Sequence, residues 1–99
     1  MRKGLLEFCI LSIISHSEAY ASDILETLKN AELLVVEGTL YPLLTRMKNE
    51  GLLSYRWQES TEGPPRKYYT LTPEGEQLLA QLNKEWQSIC QAVNQITNQ

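Results

Sequence analysis

Within twenty-two residues the chain carries Arg46, Lys48, Arg56, Arg66 and Lys67 against Glu50, Glu59 and Glu62, and Arg2 and Lys3 stand at its start. A guanidinium grips a phosphate or the edge of a guanine through two parallel hydrogen bonds, and an ammonium acts on phosphate as a point charge. Hydroxyls are interleaved with these cations, Thr39, Tyr41 and Thr45 ahead of them and Thr61 among them. The combination suits contact with a polyanion, the hydroxyls bonding phosphate oxygens or base edges. Against it stands a formal net charge of −3 over 99 residues. Binding, however, follows the local field rather than the sum, and here the cations are segregated.

Catalytic chemistry finds no comparable grouping. His16 is the single histidine, and the chain has no nucleophile elbow, no phosphate-binding glycine loop and no paired carboxylates set to share a proton. Cys9 and Cys90 lie far apart without a CxxC spacing, so neither a zinc site nor a disulfide framework is expected. No enzyme activity, metal or cofactor is predicted. Leu5 to Ile14 is apolar but interrupted by Glu7, short of the roughly 18 apolar residues of a membrane span. A cytoplasmic protein with no membrane partner is the expectation.

The elements that must position the cations follow from periodicity. Leu5 to Ile14, LLEFCILSII, is apolar on nearly every side, which predicts a first helix packed on more than one face. Ala21, Ile24, Leu25 and Leu28 form the stripe of a second helix over Tyr20–Lys29. Asn30 to Val36 reads as a turn and a short extended piece, LLVV, able to make a β pairing. Leu40, Leu43, Leu44 and Met47 define a third helix over Glu37–Glu50, closed by Gly51 as a left-handed cap. Pro42 belongs in an early turn, where it breaks little, and so predicts a start near Gly38 or Thr39.

Leu53, Tyr55 and Trp57 alternate with Ser54, Arg56 and Gln58 as in a half-buried strand, and Arg66–Leu71 is its partner. The tyrosines and Trp57 are read as hairpin packing rather than as base-stacking platforms. Between the strands, ESTEGPP is turn chemistry without strand potential. Thr72-Pro73-Glu74 starts a last helix as N-cap, first-turn proline and acidic first turn. Along it Leu79, Leu82, Trp86, Ile89, Val93 and Ile96 recur at steps of three and four, a coiled-coil-like seam. The predicted fold class is mainly α with a small β-hairpin wing: a winged helix-turn-helix over 1–71 and a C-terminal dimerisation helix over 72–99. In that arrangement the third helix enters the major groove and the hairpin tip leans over a neighbouring backbone or minor groove.

EGTLYPLLTRMKNEGLL from Glu37 to Leu53, followed by EGPPRKYYTLTPEG from Glu62 to Gly75 and preceded by GLLEFCILSII, resembles the PadR family of winged helix transcription regulators over about the whole chain. The single C-terminal helix is similar to that of the family's short subgroup. The resemblance implies a homodimer that represses by occupying a palindromic operator in double-stranded DNA and leaves it when an effector binds. On this sequence the recognition-helix positions are Thr39, Tyr41, Pro42 and Arg46, to which the exposed Thr45 and Lys48 are added from periodicity. The wing positions are Gly63, Arg66 and Lys67. The dimer surface is expected at Leu5, Phe8 and Cys9 of the first helix and Leu79, Leu82, Trp86, Ile89, Val93 and Ile96 of the last. Two departures from the family pattern are Val36, where a small polar cap is usual, and Ala21, where a glycine is usual.

Three further readings compete with DNA binding or extend it. Trp86 is either a dimer anchor or a residue lining a pore for a flat aromatic effector, as in some short relatives. Cys9 and Cys90, on the two helices expected to meet between subunits, admit a redox switch, although Cys9 has no adjacent cation to stabilise a thiolate. The alternative to DNA binding is a winged-helix protein-interaction module with little DNA affinity.

Overall fold

The run LLEFCILSII lies in α1 (Lys3–His16) of the computed structural model, which describes residues 3–60 and 62–98. Arg2, the side chain of Lys3, and Thr61 at the wing tip lie outside the described residues. Ile10, Leu11 and Ile14 of α1 are buried. They meet Ile24 and Leu28 of α2 (Ala21–Asn30) and Leu40, Leu44 and Met47 of α3 (Glu37–Asn49) in one core. Each fully buried aliphatic side chain of this kind contributes about 1.5–3 kcal/mol. The stripes legible in the sequence are the faces that pack.

Both helices of the helix-turn-helix close in the same way. At the end of α3, Gly51 N–H donates to Lys48 C=O and Leu52 N–H to Met47 C=O, each at 3.0 Å, with Gly51 at φ 80°. At the end of α2, Glu32 N–H donates to Lys29 C=O at 2.9 Å and Leu33 N–H to Leu28 C=O at 2.8 Å, with Glu32 at φ 64°. The paired bonds satisfy carbonyls that a helix end otherwise leaves free. A glycine occupies the left-handed position in one turn and a glutamate, at a steric cost, in the other.

Three sequence expectations are corrected. Leu33–Val36 is not a strand: Leu33 and Val35 pack against the core while Leu34 and Val36 face outward, so the alternation is real but has no ladder beside it. The place beside the hairpin is taken by β1 (Ala19–Tyr20), which pairs with β3 (Gly63–Leu71) through Ala19–Tyr69 and Tyr20–Tyr68. With β2 (Leu53–Ser60) this makes a three-stranded antiparallel sheet in the order β1-β3-β2. Secondly, strand structure runs through most of ESTEGPP, from Tyr55–Tyr69 and Trp57–Lys67 out to Ser60–Gly63. The register slips between Gln58 and Ser60, opposite Pro64 and Pro65, which have no N–H for the ladder and lie where β1 no longer covers β3. Thirdly, α3 begins at Glu37, with Val36 as an N-cap that makes no side-chain bond. Pro42 therefore lies in the second turn, and its missing N–H leaves the Gly38 carbonyl without its helical donor.

α4 (Pro73–Thr97) opens as expected on Thr72, whose Oγ1 accepts from Gly75 N–H at 3.0 Å and donates to Gly51 C=O at 2.6 Å. One hydroxyl thus ties the start of α4 to the end of α3. Leu78, Leu79 and Leu82 pack on the core, but from Trp86 onward the helix leaves it. The radius of gyration is 15.2 Å, against about 13 Å for a compact chain of this length. The excess is the projecting half of α4.

Candidate nucleic-acid interface

At about 100° per residue, burying Leu40, Leu44 and Met47 turns Gly38, Pro42, Thr45 and Asn49 to the opposite face of α3. All four are exposed. Tyr41, 43 % exposed, and Lys48 stand on the flank toward the wing. Thr39 and Arg46 stand on the other flank. Asn49 escaped the sequence reading, although its amide suits a base edge and its place on the open stripe follows from the same periodicity.

Between α3 and the wing lies a cleft of about 350 Å³ lined by Tyr20, Ser22, Tyr41, Thr45, Trp57 and the Pro65–Lys67 segment. The Arg66 guanidinium lies 3.9 Å from the centre of the Tyr20 ring and reaches Ser22 Oγ, in the first turn of α2, at 3.5 Å. Tyr20 N–H is held by Asp23 Oδ2 at 3.0 Å, which fixes that helix start. The Lys67 ammonium lies 4.7 Å from the Tyr55 ring centre and 5.6 Å from that of Trp57, and Lys48 approaches Tyr55 to 5.8 Å. Cations over aromatic faces keep their charge without a carboxylate to neutralise it. Lys48 and Lys67 thus share the Tyr55 ring, while Arg66 lines the same cleft as Lys67 from the opposite face of β3, beside α2.

The remaining two cations of the basic segment are neutralised by carboxylates. Arg56 Nε pairs with Glu18 at 3.4 Å and its guanidinium stacks 4.8 Å from Tyr68. Arg46 donates to Glu7 of α1 and to Glu50 one turn along α3, the latter at 3.2 Å. The hydrogen bond that Arg46 donates to Glu7 first, with the charges of both carboxylates, raises the Arg46 pKa above its ordinary value. The expected guanidinium on the reading face is therefore occupied within the chain.

Trp57 packs within the hairpin as expected, edge-on to the Tyr55 ring at 5.8 Å, but not in the core. The sheet face formed by Leu53, Tyr55 and Trp57 emerges from the core along the strand, from buried Leu53 to a Trp57 that is 60 % exposed. Alternation identifies the face, but not the point at which the core ends. Gly63 lies exposed at the start of β3.

On the far side of the molecule a groove of about 600 Å³ runs between α1 and α4, lined chiefly by Leu5, Phe8, Leu82, Trp86 and Ile89. Trp86, Ile89, Val93 and Ile96 are exposed. Cys9 and Cys90 are half-buried free thiols, and burial pushes the Cys9 thiol pKa up, away from the thiolate a redox switch requires. Among the described residues no group of three or more His, Cys, Asp or Glu is placed to hold a metal ion, and no helix is long and apolar enough to cross a membrane.

The model of the transcriptional regulator PadR-like family matches residues 10–81. Among solved structures, a PadR-like transcription factor from Bacteroides fragilis is 59 % identical, with a TM-score of 0.86 over 97 % of this chain and 93 % of that one. A PadR-like transcriptional regulator from Bacillus cereus is 38 % identical, with a TM-score of 0.86 over 98 % of this chain and 95 % of that one. PadR of Bacillus subtilis, solved in complex with operator DNA, is 27 % identical, with a TM-score of 0.73 over 82 % of this chain and 46 % of that one.

Proposed function

The chain belongs to the PadR-like family of transcriptional regulators, and on that premise we propose that it is a homodimeric repressor that binds a palindromic operator in double-stranded DNA. The carrying observation is the cleft between α3 and the wing, lined by Tyr41, Thr45, Arg66 and Lys67, with Lys48 beside Lys67 over the Tyr55 ring. Thr39, Tyr41, Pro42 and Thr45 face the major groove. Gly63, Arg66 and Lys67 lie along the adjacent backbone, where phosphate contacts fix orientation without carrying sequence. That PadR of Bacillus subtilis, 27 % identical, is solved in complex with operator DNA supports operator DNA as the partner.

The dimer forms through the exposed ridge from Trp86 to Ile96 together with Leu5, Phe8 and the half-buried Cys9 of α1. An isolated helix with this much uncovered apolar surface is unfavourable in water, and a second copy related by a twofold axis covers it. Leu79 and Leu82, although part of the same heptad seam, lie closer to the chain's own core. The groove beside Trp86 is then the place for a small aromatic effector whose binding releases the DNA.

Footprinting on the chain's own promoter tests this reading. The expected result is protection of two half-sites roughly 34–36 Å apart, one turn of DNA, with two chains per duplex by sedimentation. A single protected half-site, or one chain per duplex, would overturn it. For the effector, quenching of emission by a flat aromatic probe should disappear in Trp86→Phe, and persistence of the same quenching would place the probe elsewhere, with Trp57 the other emitter.

A further inference from the structure

Arg46 differs from the other cations of the reading segment in direction and in partners. It leaves α3 on the flank away from the wing, and its guanidinium bridges Glu50 of its own helix and Glu7 of α1, a residue 39 positions away. The Glu7 side chain is 16 % exposed and that of Arg46 38 %. Drawing Arg46 onto DNA would strand the Glu7 carboxylate, largely buried, without its charged partner, a loss larger than that of a surface pair. Nor is it replaceable from nearby: the described cations closest along the reading segment, Lys48 and Arg56, are engaged with Tyr55 on one side and with Glu18 and Tyr68 on the other. The pair joins two helices that otherwise meet mainly through the apolar core, whose contacts are not directional. Two bonded carboxylates on a planar guanidinium, in contrast, fix an angle.

We infer that Arg46 is a positioning residue rather than a DNA contact: gripped by Glu7, it sets the roll of α3 on α1 and hence how Tyr41, Pro42 and Thr45 are presented. The inference rests on the DNA-reading function proposed above and assigns Glu7, on a helix remote from the DNA, a part in it. It also makes a prediction opposite in sign to simple electrostatics. Glu7→Gln removes a negative charge, which by field alone tightens DNA binding. Through Arg46 it weakens it.

The test uses Arg46→Met and Glu7→Gln in the full chain, titrated against its own promoter duplex over a salt series. Expected are affinities lower by about tenfold for each, with the slope of log K against log salt unchanged. In the free protein both variants should also move the indole N–H resonance of Trp57, which lies across the cleft from Tyr41 and Thr45; a role confined to stability leaves that resonance in place. A slope shallower by about one with Arg46→Met identifies a phosphate contact and overturns the inference. So does loss of preference at a single base pair, or tighter binding by Glu7→Gln. Glu7→Gln is isosteric, so its sign decides the matter even if Arg46→Met does not fold. If the unmodified chain prefers no operator, the DNA reading falls by itself, and the Trp57 resonance alone decides whether Arg46 positions α3.

Discussion

In the proposed DNA reading, Arg66 is a phosphate contact that no carboxylate among the described residues neutralises beforehand. Tyr20 supports its guanidinium and Ser22 orients it, so its charge is retained and its motion reduced before DNA arrives. Arg66→Ala and Lys67→Ala should each weaken binding to operator and to random DNA alike, and lower the salt slope by about 0.9. A titration series of both duplexes measures this, and an unchanged slope would remove the residue from the backbone contacts. Thr45→Ala belongs to a different class. On the open stripe of α3 it should cost about 0.5–1.5 kcal/mol at one operator position and little elsewhere, read by a panel of single-base operator variants. The cations were legible in the sequence as a cluster, but not their sorting. Lys48, Arg66 and Lys67 lie over rings whereas Arg46 and Arg56 meet carboxylates, because Glu7 and Glu18 approach through tertiary packing that no local spacing encodes.

Among the elements, the buried stripe and the stop of α3 were the most legible, since a helical stripe ended by a glycine constrains both; its start was less so, because Val36 offers no capping side chain. The two turns of the helix-turn-helix give a direct comparison. Glu32 holds the left-handed position that Gly51 occupies at the end of α3, so Glu32→Gly should stabilise the chain by about 0.5–1 kcal/mol, seen as a higher denaturant midpoint at unchanged m. A fall in the midpoint would show that the turn is not strained there. Gly75 is constrained for another reason: a Cβ there would run into the Leu52 carbonyl oxygen. Gly75→Ala should lower thermal stability more than Thr72→Ala, which loses the cap on Gly75 N–H and the bond to Gly51 C=O, together about 1–2 kcal/mol, and the reverse order by calorimetry would contradict this packing. β1 escaped the sequence because two residues have no period. The strand-like outer hairpin was hidden by its prolines, which an uncovered side of β3 tolerates and a central strand does not. LLVV carried a true alternation but no neighbouring ladder, which pairing requires and sequence alone does not supply.

At the scale of the whole molecule, five of the nine lysines and arginines fall between Arg46 and Lys67. The projecting half of α4 carries an exposed apolar ridge from Trp86 to Ile96, the surface proposed for a second copy. Ile89→Asp should convert a dimer into a monomer at micromolar concentration by sedimentation equilibrium, with operator affinity falling because one half-site is then held alone; a dimer persisting in that variant would move the interface away from α4. In the proposed dimer, two reading edges joined at a fixed spacing would turn a modest cluster of cations into a sequence-specific reader. The central claim is tested most directly by titrating the unmodified protein against a duplex from its own promoter and against a scrambled duplex over a series of salt concentrations. The account predicts binding to the promoter tighter by about 10³-fold or more, with affinity for both falling steeply as salt rises. Equal affinity for the two duplexes, or binding indifferent to salt, would contradict it.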